Sequence, residues 1–316
     1  MTPRLVAVVP SLGESPALAR ALARLRAELA GAGAGLVWVH QGPRAAPRLD
    51  PPRERLIALP RAVGFARAVN AGLAAAGAAE LVAVVNDDFE PESGWLAPLT
   101  AALDAGPDLG SVQGVSLAAG ETEVTDGCGL AWNGWWQAVQ VGRGAAPPPL
   151  AAAPFEVFGV SATGALYRRA ALATVAQASG AVFDERLESW YEDVDLAVRL
   201  RAAGWRALCV PAARGVHAGS ATGGRRPFLQ ARRVAGNRWL VVARLLGRAL
   251  PVAAPRLALR DLVDLARALA RGEAVRAAAI PAGWLAAARR LPAFARFGAP
   301  LVGREELARL RVGSPR

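Results

Sequence analysis

Asn86, Asp87 and Asp88 follow directly on the apolar run Leu81 to Val85 in the stretch VAVVNDDFE. A β-branched apolar run suits a strand buried on both faces of a parallel sheet, and open α/β sheets bind ligands beyond the carboxyl ends of their strands. Adjacent carboxylates at such a place either offer hard oxygen donors to a divalent cation or simply begin a turn, since Asn and Asp also favour turns and N-caps. A second acidic group, Glu192, Asp193 and Asp195, opens the segment YEDVDLAVRLRAAGW. The macrodipole at a helix start favours an ionised carboxylate, the state a general base requires. Asp195 stands four residues before Arg199, so it reads equally well as an i,i+4 pair. His217 is one of two histidines, and a lone His after a strand is more often a hydrogen-bonding residue than a ligand.

The elements that must position these groups alternate. Arg4 to Val9 reads as a strand, and Ser15 with Pro16 as N-cap and first-turn proline of a helix whose Leu18, Leu22, Leu25 and Leu29 recur at helical spacing. Gly31 to Gly35 ends that helix; Leu36 to His40 and Arg55 to Leu59 are strands, Gly64 to Ala76 a helix, and Leu81 to Val85 the fourth strand. The alternation predicts an α/β fold with a doubly wound, mostly parallel sheet. A helix follows over Trp95 to Ala105, then a looser stretch with Trp132, Trp135 and Trp136. Beyond it come an apolar strand pattern over Phe155 to Tyr167, helices at Arg169 to Ala178 and Tyr191 to Ala203, and strand and turn over Ala207 to His217. From Pro227 the pattern is helical, with further runs expected from Pro255 to Gly272 and from Pro281 to Leu291.

No stretch of about 18 uncharged apolar residues is present, so no membrane span is expected, and the opening MTPRLVAVVPSLGE reads as the first strand rather than a signal peptide. Cys128 and Cys209 fit no metal or redox spacing, which suits a reducing cytoplasm. Charge is divided unevenly along the 316 residues: positions 1–220 hold 18 Arg against 21 Asp plus Glu, positions 221–316 hold 19 against 5, and Lys is absent. A basic, amphipathic tail of this kind fits an anionic membrane surface, on which its helices would lie. It lacks the interleaved aromatics that stack nucleic-acid bases, so no nucleic-acid partner is expected.

Four stretches taken together carry a resemblance: PRAVGFARAVNAGL at 60–73, VVNDDFEP at 84–91, VFDERLESWYEDVDLAVRLRAAGW at 182–205 and VPAARGVHAGSATGG at 210–224. In this order and spacing the chain, over roughly residues 1–245, resembles the family-two inverting glycosyltransferases of the GT-A fold, particularly the bacterial rhamnosyltransferase-like members. The resemblance implies a GT-A domain over 1–224 and a basic, amphipathic helical C-terminal region over 225–316. It implies a metal-dependent transfer of a sugar from a nucleotide-sugar donor to a hydroxyl of a glycan or lipid-linked acceptor, in cell-surface polysaccharide or glycolipid assembly. The cofactor would be Mg²⁺ or Mn²⁺, with Asp88 and His217 as ligands, and the base Asp193. Pro10, Ser11, Gly64, Arg67, Asn70, Asn86 and Asp87 would lie on the donor, and Asp184, Glu185, Trp190 and Glu192 on the acceptor side. Arg225 and Arg226, after a glycine-rich stretch, would close over the diphosphate. His40 departs from the family's Asp beside the nucleotide base, which leaves the donor nucleotide open. The implied location is cytoplasmic and peripheral at the inner face of the membrane. The alternative is a noncatalytic nucleotide-sugar or glycan-binding relative acting as a partner subunit; the paired acidic motifs speak against it, because binding alone does not require both.

Overall fold

The computed structural model describes residues 3–219, 226–294 and 300–312. The first half is built from β1 (Leu5–Ser11), α1 (Leu18–Gly31), β2 (Gly35–Gln41), β3 (Glu54–Leu59), α2 (Phe65–Ala75), β4 (Leu81–Val85), β5 (Phe89–Pro91) and α3 (Leu96–Ala105). Then come β6 (Leu109–Ala118), β7 (Glu121–Gly127), β8 (Leu130–Trp132), β9 (Ala138–Gln140), β10 (Phe155–Val157), β11 (Gly164–Arg168), α4 (Arg169–Ser179), α5 (Glu192–Ala202) and β12 (Arg206–His217). The chain continues through α6 (Pro227–Leu246), α7 (Leu250–Ala270), α8 (Ala274–Phe294) and α9 (Arg304–Arg309).

The main sheet runs β10-β12-β6-β11-β4-β1-β2-β3, with β5 on β12 and β7 on β6. β3, β2, β1 and β4 are parallel neighbours, as are β6 and β12, while β11 runs antiparallel between β4 and β6. The apolar runs of β1, β2 and β4 are buried throughout, as strands covered on both faces must be. One layer of core lies beneath α2 and α4, another beneath α1 and α3. Parallel pairing brings the carboxyl ends of β1 and β4 to one edge, and the reversed β11 brings its amino end there, with the Asn86 amide donating to the Thr163 carbonyl at 2.8 Å. This edge receives the acidic groups.

Several elements differ from the sequence expectation. α1 starts at Leu18 and not at Ser15; the Ser15 hydroxyl caps only locally, accepting from the Ala17 amide at 3.1 Å. The apolar stretch from Phe155 to Tyr167 divides into two strands, β10 and β11, separated by a segment that turns toward the site. Pro255 and Pro281 do not start helices but lie inside α7 and α8, both on exposed faces. A proline costs an interior hydrogen bond, yet here each falls on an exposed face, away from buried Leu257 and Ala268 in α7 and Ile280 and Ala287 in α8. Cys128 and Cys209, distant in sequence, are buried and free, with their thiols in hydrogen-bonding contact.

The basic C-terminal region is no loose appendage. A third core cluster joins Leu187, Tyr191, Val194 and Val198 to Leu240, Val241, Leu245, Leu257 and Phe294, so apolar packing crosses position 224. α6 and α8 touch backbone to backbone: a Cβ on Gly236 would stand 2.7 Å from the Gly283 carbonyl oxygen, an approach that only glycine permits. Among the described residues no helix is long and apolar enough to cross a membrane.

Candidate functional site

At the carboxyl end of β1 the Ser11 hydroxyl donates to the Asp87 carboxylate and accepts from the Gly13 amide at 2.9 Å. Burial, reinforced by the neighbouring Asp88 charge, pushes Asp87 up to about 6, although the Ser11 hydrogen bond opposes the shift. A carboxylate left in that condition is one that a cation or a proton would neutralise.

Asp88 is buried and turns toward β12, where pairing of β12 with β5 sets His217 opposite Phe89. The Asp88 Oδ1 and His217 Nε2 atoms are 3.4 Å apart, and His217 Nδ1 stands 2.8 Å from Asp126 Oδ2. Asp126 also pairs with Arg143 at 3.3 Å. Burial works against charging His217, but hydrogen bonds to Asp126 and Asp88 outweigh it and raise the imidazole to about 9.

This corner fits a shared cation. Two ligand atoms at about 2.1 Å from an octahedral ion lie about 3 Å apart at right angles, close to the observed separation of the Asp88 oxygen and His217 nitrogen. Asp126 holds the far ring nitrogen, the arrangement that orients a ligating histidine. Among the described residues no cluster of three or more His, Cys, Asp or Glu side chains is arranged to hold a metal by itself. Two protein ligands leave the remaining positions to phosphate oxygens and water, as Mg²⁺ and Mn²⁺ sites on nucleotides do.

Asp193 lies in the first turn of α5. Its Oδ1 accepts from the Val194 amide at 2.8 Å, and further hydrogen bonds come from the Ala162 amide and Ser161 on the segment leading into β11. The helix start was expected to favour the ionised form, but burial dominates and raises the Asp193 pKa above the ordinary carboxylate value despite those hydrogen bonds. Glu192 is raised further, by burial first and by the Asp193 charge second, and its Oε2 makes no hydrogen bond. Asp195 faces the other way, fully buried between Arg199 and Arg244.

One cleft of about 1140 Å³ is lined by Asp88 and Asp193 together with His217 and Asp126. Pro10, Gly64, Arg67, Asn86, Asp87, Trp190, Glu192 and Arg226 line it as well. Ser11 does not, and reaches the site through Asp87. Asn70, Asp184 and Glu185 are set back from it. The Asn70 amide brackets Phe183, donating to its carbonyl at 2.8 Å and accepting from its amide at 3.0 Å. Glu185 accepts from Arg67 at 2.8 Å, and Asp184 is committed to Arg186 and Arg244, which hold it well below the usual carboxylate range against the effect of burial. Their neighbourhood is therefore the joint between α2 and the loop that precedes α5. Trp132 is a core residue against Phe158 and Trp136. His40 is buried with Nε2 at 2.6 Å from the Arg44 carbonyl oxygen. Arg225 lies outside the described residues.

Sequence reasoning missed Asp126, Arg233 and the Gln137 to Val141 wall of the cleft. Asp126 carries no local signal; its partner is 91 positions away.

Residues 43–175 match the family model described as Glycosyl transferase family 2. A search of the curated proteins finds no match. Among solved structures, the chain is similar to GalNAc-T7 crystallised with UDP, GalNAc and Mn²⁺, at a TM-score of 0.55 and 15% identity, over 68% of this chain and 43% of that one. The chain thus spans less than half the length of that relative. It is also similar to the mannosyltransferase PcManGT from Pyrobaculum calidifontis in complex with GDP-Man and Mn²⁺, at a TM-score of 0.48 and 18% identity, over 92% of this chain and 88% of the other. With its central sheet and the edge on which the acidic groups gather, the chain has the GT-A glycosyltransferase fold and carries a glycosyl transferase family 2 match across residues 43–175.

Proposed function

We propose that this chain transfers a sugar, with inversion, from a nucleotide-sugar donor to a hydroxyl of a glycan or lipid-linked acceptor. The observation that carries this reading is that Asp88, His217 and Asp193 all line one cleft. The donor diphosphate would lie against Asn86, Asp87 and Asp88, with Arg67 and Arg226 offering positive charge to its oxygens. A divalent cation, Mn²⁺ or Mg²⁺, held by Asp88 and His217, neutralises charge on the departing diphosphate as a Lewis acid when bound. Asp193 accepts the proton of the acceptor hydroxyl while that oxygen bonds to the anomeric carbon. The bond from that carbon to the diphosphate oxygen breaks on the opposite face. Trp190 offers a face for the acceptor sugar. A donor preference of the rhamnosyltransferase kind rests on motif resemblance alone. The noncatalytic alternative leaves Asp193, raised by burial and hydrogen-bonded into the cleft wall, without a purpose.

Nucleoside diphosphate release from a panel of nucleotide sugars tests the reading. Release is expected to require Mn²⁺ or Mg²⁺ and to fall to background with EDTA. The metal must displace the proton that His217 holds up to about pH 9, so apparent Mn²⁺ affinity should strengthen by nearly tenfold between pH 7 and 8 and by less above that. Release that ignores EDTA, or none from any donor, contradicts the proposal.

We also assign the C-terminal helices a role on an anionic membrane surface, at the cytoplasmic face. α7 exposes Val252 (81%), Leu259, Leu262 and Leu269 (65%) along one side, with exposed Arg256 and Arg267 beside them. Buried Leu257, Asp261 and Ala268 hold the other side against the protein. An amphipathic helix with a basic margin lies in the headgroup plane of anionic lipid. Sedimentation with phosphatidylglycerol vesicles should retain the protein at low salt and release it as salt rises, and Leu259→Ser with Leu262→Ser should weaken retention at least fivefold. Equal retention on neutral vesicles, or indifference to the double substitution, removes this role.

A further inference from the structure

The segment between the acceptor wall and Asp193 has an unusual backbone. Glu188, Trp190 and Tyr191, none of them glycine, have φ of 62°, 64° and 73°. Left-handed conformation costs each such residue about 1 kcal/mol or more and persists only where the surroundings enforce it. Gly64 closes one side: a Cβ there would lie 3.0 Å from the Glu188 carbonyl oxygen, which accepts from the Ala66 amide at 2.8 Å. Ser189 Oγ accepts from the Phe65 amide at 3.1 Å.

The other side is closed by α6. Asn237, 2% exposed, aims Nδ2 at three carbonyl oxygens of the segment: Leu187 at 2.9 Å, Ser189 at 3.3 Å and Trp190 at 2.8 Å. One turn earlier on α6, Arg233 pairs with the Glu188 carboxylate and stands 5.8 Å over the Trp190 ring. A buried, uncharged donor is what converging carbonyls need, since an apolar side chain would leave them unsatisfied and a carboxylate would repel them. The segment passes directly into α5, whose first turn is closed by the Asp195 amide donating to the Tyr191 carbonyl at 2.9 Å.

We propose that Asn237 is a positioning residue for the reaction: it holds residues 187–191 in the left-handed path that sets Glu192 and Asp193 against the acceptor. This rests on the glycosyltransferase reading above. Released from Asn237, the segment relaxes toward ordinary φ and carries Asp193 with it, and misplacement by about 1 Å costs on the order of 10²-fold in rate. The metal corner, Asp88 with His217 and Asp126, stands on the ends of β4, β12 and β7 and makes its hydrogen bonds apart from this segment.

The experiment compares the full chain with Asn237→Ala and Asn237→Asp. Amide hydrogen exchange should accelerate at least tenfold over residues 187–191 in both variants while β1 and β4 remain protected. With Mn²⁺ present, kcat for sugar transfer should fall at least tenfold with donor KM within twofold of the parent value. Faster exchange with unchanged kcat overturns the proposal, as does unchanged exchange in both variants. A parallel rise in donor KM overturns it too, because it would show a general loosening. Should Asn237→Ala fail to fold, Asn237→Ser keeps one donor in place and carries the same comparison; failure of both makes Asn237 a folding residue and overturns the proposal. A parent protein that transfers no sugar refutes the glycosyltransferase reading itself, and the exchange data then show separately whether Asn237 anchors the segment.

Discussion

Asp193→Asn is expected to lower sugar transfer by about 10³-fold while Mn²⁺-dependent nucleotide binding persists. The asparagine keeps the volume, its Oδ1 can still accept from the Val194 amide and its Nδ2 can donate to the Ser161 hydroxyl, so the change to the cleft is confined to the contact with the Ala162 amide. What is lost is the ability to take a proton. The nucleotide corner is separately built, by Ser11 on Asp87 and by His217 beside Asp88, and needs nothing from residue 193. The pH profile adds a second readout. Burial raises the Asp193 pKa, so at saturating Mn²⁺ parent activity should decline as pH falls through a value above that of an ordinary aspartate, and residual activity in the variant should lack that limb. Transfer retained within tenfold would remove Asp193 from the role of base; loss of nucleotide binding as well would show that the substitution disturbed the cleft.

The part of the site legible in sequence is the part that depends on strand ends. VAVVNDDFE places its carboxylates by the simple rule that parallel strands deliver their carboxyl ends to one edge, and the structure puts Asp87 and Asp88 there. Local periodicity also disclosed α2, α5 and the helical character of the C-terminal region, because apolar faces at helical spacing persist whatever the helix packs against. Its destination was not legible. α6 looked like one more basic amphipathic helix, yet Asn237 and Arg233 meet the catalytic-side segment and Leu240 and Val241 are buried in a core shared with α5. Nor does anything in LESWYED announce the positive φ of Glu188, Trp190 and Tyr191: no glycine marks it, and the residues that contact the segment, Gly64 and Asn237, lie far along the chain. Asn70, Asp184 and Glu185, whose motifs suggest the site, do not line the cleft: Phe183, Arg67 and Arg244 take up their polar atoms.

Arg244→Met should destabilise the protein by about 3 kcal/mol, measured as a lower urea midpoint with little change in slope. Arg244 is the point at which α6 and α5 are tied electrostatically. It bonds Asp195, which is fully buried, and Asp184 at 2.7 Å, and its guanidinium lies 4.6 Å over the Phe294 ring. Methionine fills comparable space with apolar atoms, so the cost comes from carboxylates left in a site without their cation. The loss is limited because Asp195 keeps Arg199 at 2.7 Å and Asp184 keeps Arg186 at 2.6 Å. The sign of the pH dependence follows from Asp184. Its folded pKa is depressed by Arg186 and Arg244, so its contribution is complete above the unfolded value of about 3.9 and fades as pH drops toward the folded one. Parent and variant should therefore differ fully at pH 7 and converge below about pH 4. A difference under about 1 kcal/mol at neutral pH would mean that apolar packing of α6 on α5, and not this ion pair, holds the two together.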